Sequence, residues 1–258
     1  MGACRVTGCG CSGVVELSPP KSAYPWRDDQ LSQYLLQTER NTYASSINLA
    51  PMFQRLQGIH ALWMETGELF TNTPDSDLLK MWFYFMSNSA WLGAVRLLMG
   101  GQPIDAQPLL RSALEYAAYA LHIARNADLG RVWLERQNSE AARSAVRAAF
   151  NGRELRETIA KESAALSSAY EELYEGSIDF GAHPNEQALS ARLRIEKGPA
   201  FTTSSVDLLT DNPILYRLAA KRAAQVGIAC LSIFGRIFRA KFEIMSIDTK
   251  LDALKNGL

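Results

Sequence analysis

The stretch LLRSALEYAAYALHIAR, Leu109–Arg125, decides the fold. Leu110, Ala113, Leu114, Ala117, Ala118 and Leu121 recur at the three- and four-residue spacing of a helix with one apolar face. Alanine and leucine are strong helix formers, and neither glycine nor a second proline interrupts the run after Pro108. The same helix carries Arg111, Glu115 and His122. At about 100° per residue, Glu115 lies about 40° and His122 about 20° from Arg111 around the axis. An ionisable line on so apolar a helix is costly to bury unless it is paired, so it marks a structural ion pair or a functional site. Arg before Glu is the weaker i, i+4 order, which argues against a purely local role.

Outward from this segment the pattern stays helical. Leu31, Tyr34, Leu35 and Thr38 follow Asp28 and Asp29, which favour a helix start. Pro51 opens a second helix with Phe53, Leu56, Ile59, Leu62 and Trp63 along its stripe. A third follows the polar break at Thr71–Asp77, capped by Ser76 or Asp75, and ends at Gly100-Gly101. Its Trp82, Phe83, Phe85 and Trp91 wrap more than one face, which predicts a central position. Beyond Arg125, helix is expected over Asp128–Phe150 with a break near Asn138-Ser139, over Glu154–Tyr174, and from Ile214 to about Ala240 after Asn212-Pro213. Between them ARLRIE and FTTSSVDLL alternate around Lys197-Gly198-Pro199, the pattern of a small hairpin or an irregular loop. The expectation is an all-α fold: a multi-helix bundle with one small β-hairpin near residues 190–209. Residues 1–27, rich in Gly, Ser and Pro, read as a flexible N-terminal arm, and residues 28–258 as a single helical domain.

Bulk properties exclude several classes. Lys+Arg and Asp+Glu balance at 27 each, so no global field draws the chain to nucleic acid or an anionic membrane. The uncharged windows Met81–Val95 and Ala223–Gly235 fall short of the roughly 20 residues a bilayer core requires, and no signal peptide is evident. A cytoplasmic protein without a membrane partner is expected. Cys4, Cys9 and Cys11 crowd the arm, but a closed zinc site takes four ligands and no nearby residue completes the set. Val6 also stands where an N-myristoylation signal wants Ser or Thr. No P-loop, zinc-protease helix or nucleophile elbow is present, so neither metal nor cofactor is expected. The arginines from Arg125 to Arg156 are offset by Asp128, Glu135, Glu140 and Glu154 and lack interleaved aromatics, which favours a solvated face over an RNA track.

The other chemistry-bearing segment is SIDFGAHPNE, Ser177–Glu186. Gly176 and Gly181 allow unusual backbone angles, and Pro184 restricts His183 to an extended conformation. An imidazole held in a fixed direction can transfer a proton, bind an anion or brace the loop on a carboxylate such as Glu115 or Asp179.

Arg111-Ser-Ala-Leu-Glu115 in a long apolar helix, followed by Tyr170-Glu-Glu-Leu-Tyr-Glu-Gly-Ser-Ile-Asp-Phe-Gly-Ala-His183-Pro184-Asn185, resembles an uncharacterised bacterial helical family. That family is a domain of unknown function with an Arg-x-x-x-Glu helix and a later Ser/His-Pro loop, and the resemblance covers roughly Ser76–Ala240. It is distantly similar to HEPN proteins, which implies a homodimer and, for many members, a ribonuclease or toxin component with an Arg-x4–6-His motif. The match to that motif here is Arg55-Leu-Gln-Gly-Ile-His60, on an early helix with Leu56 where a polar residue is common, so ribonuclease activity does not transfer through it.

The leading functional expectation is a helical domain that binds an anionic small ligand or a macromolecular partner through Arg111, Glu115 and His183. His122, Asp179 and Asn185 are further ligand-binding candidates. The competing expectation is a metal-independent, HEPN-like ribonuclease of phage-defence or toxin type acting on RNA. There His183 would be general base or acid, Arg111 would stabilise developing phosphate charge, and Glu115 would orient one of them. A third is a purely structural assembly subunit. An enzyme needs His183 beside Arg111 and open to solvent; a scaffold needs neither.

Overall fold

The computed structural model describes residues 29–70, 73–199 and 201–258. The stretch read as an arm, with Cys4, Cys9 and Cys11, lies outside the described residues. Among those residues the fold is all-α, with twelve α-helices and one two-stranded antiparallel sheet.

Helix α1 (Gln30–Asn48) starts at Asp29, whose side chain accepts the Ser32 amide at 2.9 Å. Pro51 lies in the first turn of α2 (Ala50–Gly67). Helix α3 (Asp75–Met99) departs from expectation at its start: Pro74 holds the cap position, and among the described residues no side chain caps it. Asp75 and Asp77 instead occupy the first turn, where carboxylates meet the positive end of the helix dipole. Helix α4 (Gln107–Arg125) follows. Helices α5 (Asp128–Leu134) and α6 (Glu140–Ala149) are separated near Asn138-Ser139 as the sequence predicts, with the Ser139 hydroxyl accepting the Ala142 amide. The helix expected over Glu154–Tyr174 is two, α7 (Gly152–Glu162) and α8 (Ala164–Ser177). Ser163 is extended and caps α8 through the Leu166 amide, the competition with helical backbone that serine side chains favour.

After a π-turn at Ile178–Ala182 come α9 (Glu186–Ser190), β1 (Leu193–Lys197) and β2 (Thr202–Val206). The hairpin is exposed throughout and tied down by an Arg192–Asp105 ion pair at 2.5 Å. Helices α10 (Pro213–Ile237), α11 (Arg239–Ile244) and α12 (Ile247–Lys255) complete the chain. Helix α10 is the one described helix long and apolar enough to cross a membrane, and 67% of its apolar window is buried inside the bundle.

Helix α4 packs against α3, α10, α7 and α8. Its Leu110, Ala113, Leu114, Ala117, Ala120 and Leu121 are fully enclosed. The aromatics of α3 divide: Phe83 and Trp91 join the core, whereas Trp82 is 52% exposed, so the wrap read from the sequence is partial. Three buried polar side chains of α3 are spent on backbone carbonyls. The Tyr84 hydroxyl donates to Trp63 O at 2.6 Å, the Ser87 hydroxyl to Ala113 O at 2.8 Å and Trp91 Nε1 to Ala223 O at 2.7 Å.

That last bond requires Gly227. A Cβ there would lie 2.8 Å from both Ile59 Cγ2 and Trp91 Nε1, where neither neighbour is a mobile chain end. Gly227→Ala would raise intrinsic helix propensity by about 1 kcal/mol, yet overpacking at a three-helix contact typically costs about 1–3 kcal/mol. We expect Gly227→Ala to lower the urea midpoint with an unchanged m-value; an equal or higher midpoint would refute the tight contact.

Candidate functional site

Arg111 and Glu115 project from α4, one turn apart, and Arg111 Nε donates to Glu115 Oε1 at 3.0 Å. Helix α8 adds Tyr174, whose hydroxyl donates to the same oxygen at 3.0 Å and whose ring lies under the guanidinium at 4.9 Å. The π-turn brings up His183, with Nε2 only 2.6 Å from Arg111 Nη1. A guanidinium can only donate, so Nε2 is the acceptor in this contact. The sequence placed Arg111, Glu115 and His183 together, and they meet.

Two features of the loop aim His183. Gly181 has φ +135°, a conformation side chains rarely adopt, and a Cβ there would strike Ile104 at 2.6 Å. His183 itself is extended (φ −134°, ψ 153°), as the following Pro184 demands. Its imidazole is exposed, while the Arg111 and Glu115 side chains keep 23% and 34% of their exposure. An ion pair this open contributes up to about 1 kcal/mol. Burial works against the Arg111 charge, but Glu115 and Tyr174 outweigh it and raise its pKa. Burial and then the Glu115 carboxylate push Tyr174 up, so its hydroxyl stays protonated and donates.

The remaining candidates go elsewhere. His122 sits at the joint of α4 with α6 and α7: Nε2 donates to Ala149 O at 3.1 Å and Nδ1 lies 2.7 Å from the Thr158 hydroxyl. Asn185 caps α9 through the Ala188 amide at 2.7 Å and donates to Ile178 O and His183 O, which fixes the loop. Asp179 is exposed on the π-turn and acts on Arg222 rather than on His183. Arg55 and His60 diverge, the first donating to Asn256 O and the second stacking on Trp91. Arg125, Arg143, Arg147, Arg153 and Arg156 each reach a carboxylate. Cys230 is fully enclosed, and burial pushes its thiol up to about 12, so it is no nucleophile. Among the described residues no three His, Cys, Asp or Glu side chains gather as metal ligands.

Sequence reasoning missed Tyr174. Its signal is the Tyr170–Tyr174 spacing, which puts two rings on one face of α8, stacked 5.7 Å apart, just before the loop.

No family model, no curated protein and no solved structure matches this chain. The chemistry of the site therefore rests on its geometry.

Burial holds His122 and His60 below the usual value of 6.5. Near that pH the unfolded chain takes up protons that the folded chain refuses, so their contribution is present above pH 6.5 and lost as pH falls. Chemical denaturation at about pH 7.5 and about pH 5.5 should show lower stability at the acid value, and His122→Gln should reduce that difference. An identical difference in the variant would remove His122 from the account.

Proposed function

We propose that this is a helical binding protein in which Arg111 and His183 receive the anionic group of a small ligand or partner. One observation carries the reading: among the described residues the terminal nitrogen Nη1 of Arg111 is matched by an exposed imidazole and not by a carboxylate. Glu115 occupies Nε alone. A carboxylate or phosphate is a stronger partner for a guanidinium than an imidazole is, and a guanidinium edge binds either one bidentately. His183 is displaced at little cost because solvent already reaches it, and Tyr174 and Glu115 hold the guanidinium in place meanwhile. Homodimerisation and a cytoplasmic location remain part of this proposal.

A second reading, RNA cleavage without metal, is favoured by the exposure of His183 beside Arg111. Once a phosphate takes Nη1, the Nε2 lone pair is free to accept a proton and Arg111 sits against the reacting group.

The test titrates the purified chain with pyrophosphate while following the His183 imidazole by NMR, with RNA cleavage and thermal melting measured alongside. The His183 resonance should move on saturation, and Arg111→Ala should weaken binding by about tenfold or more, the usual worth of a charge-assisted contact. Cleavage lost in both Arg111→Ala and His183→Ala at unchanged melting temperature would establish the ribonuclease reading. Neither binding nor cleavage, with both variants melting several degrees lower, would make the cluster a structural clamp.

A further inference from the structure

We propose that a second site, the cleft where α10 faces the start of α4, α9 and the π-turn, binds a small molecule with an oxyanion head, an apolar body and a hydrogen-bond donor. The cleft has a volume of about 240 Å³ and is lined by Ile104, Leu215 and Leu218 beside Arg222, Lys221 and Gln107.

Arg222 is the first observation. It is half-buried, it donates to Gly176 O, and its guanidinium stacks on the Phe180 ring at 4.5 Å. It has no ion-pair partner among the described residues; Glu172 and Asp179 act on it only through space. The fold makes room for it deliberately in the physical sense: a Cβ at Gly176 would lie 2.7 Å from Nη2 and 2.9 Å from Cζ. Glycine is a weaker helix former than alanine, and here the space left by the missing Cβ is filled by a guanidinium. Two cations, Arg222 and Lys221, line the cleft against the one carboxylate of Glu172.

Gln107 is the second, independent observation. The residue is 2% exposed, its Nε2 donates to Pro103 O at 2.9 Å, and its Oε1 has no partner among the described residues. Flipping the amide would set two acceptors together, so the carbonyl of Pro103 fixes Oε1 as the vacant acceptor. A buried acceptor without a donor is destabilising, and a ligand hydroxyl or amino group that reaches Oε1 from the cleft supplies the missing donor. Head, donor and body are thereby assigned to Arg222, Gln107 and the Ile104–Leu215–Leu218 wall.

The purified full chain is titrated by calorimetry and thermal melting with isocaproate, leucic acid and leucine. Isobutyl phosphate is the phosphate-headed counterpart and isocaproamide the uncharged control. Leucic acid or leucine should bind more tightly than isocaproate, and isocaproamide at least about tenfold more weakly than any of them. Tightest binding by isobutyl phosphate would also support the site and make its head a phosphate. Arg222→Gln should abolish binding, and Gln107→Leu should remove the advantage of leucic acid over isocaproate. Gly176→Ala is the sharpest variant: it touches no ligand and favours the helix, yet should weaken binding about tenfold or more by displacing the guanidinium. The proposal is overturned if nothing binds the folded chain at about 10 mM, if isocaproamide binds as well as the acids, or if both Arg222→Gln and Gly176→Ala bind undiminished.

Discussion

The bundle depends on one close approach, at Gly227 in the middle of α10. Without a side chain there, Ile59 of α2 and the Trp91 indole of α3 both reach the helix backbone. Trp91 can then donate to Ala223 O, a carbonyl already engaged within α10. The indole N–H is satisfied through a backbone carbonyl, which leaves the surrounding positions free for Phe234 to pack edge to face on Trp63 and Tyr84, whose own rings meet at a tilt. Helix α4 closes the other side with Ala113, Ala117, Ala118 and Ala120, small residues that hold it near α3 and α10. The interior is therefore set by helix separation more than by any single large side chain.

Against that apolar block α4 turns a polar stripe, and the remaining helices dock along it. Gln107, Arg111 with Glu115, and His122 follow one another down the helix, and these three places meet different neighbours. Gln107 reaches the Arg222 cleft, Arg111 and Glu115 meet Tyr174 and His183, and His122 holds the α6–α7 joint through Ala149 and Thr158. The π-turn at Ile178–Ala182 separates the first two places, with Phe180 facing Arg222 and His183 facing Arg111. Movement of this short segment would be felt at both.

Much of this was legible in the sequence, because the signals concerned are local. Helical periodicity located α4 and α10, Asp29 announced the start of α1, Asn138-Ser139 announced a break, and the alternation around Gly198 marked the hairpin. The extended backbone of His183 follows from Pro184 alone. Where the reading went astray, two local preferences competed: Ser163 sits in a run of helix formers, yet its hydroxyl prefers to cap the next helix. Trp82 carries the same apolar label as Trp91 but points outward, because a helix with aromatics on several faces does not say which face has a neighbour.

The sequence by itself determined which segments are helical and which α4 residues share a stripe, since backbone geometry within a few turns fixes both. Tertiary structure alone decided what each of those residues does. Arg111 and His122 lie on the same stripe, yet one meets an imidazole 72 residues later and the other a threonine 36 residues later. Arg222 was invisible as a candidate for the same reason: its place depends on the missing Cβ of Gly176, 46 residues away, and on the face of Phe180. Periodicity orients a side chain about its own helix axis, but the partner it meets is set by how distant helices pack, and only the packed fold carries that information.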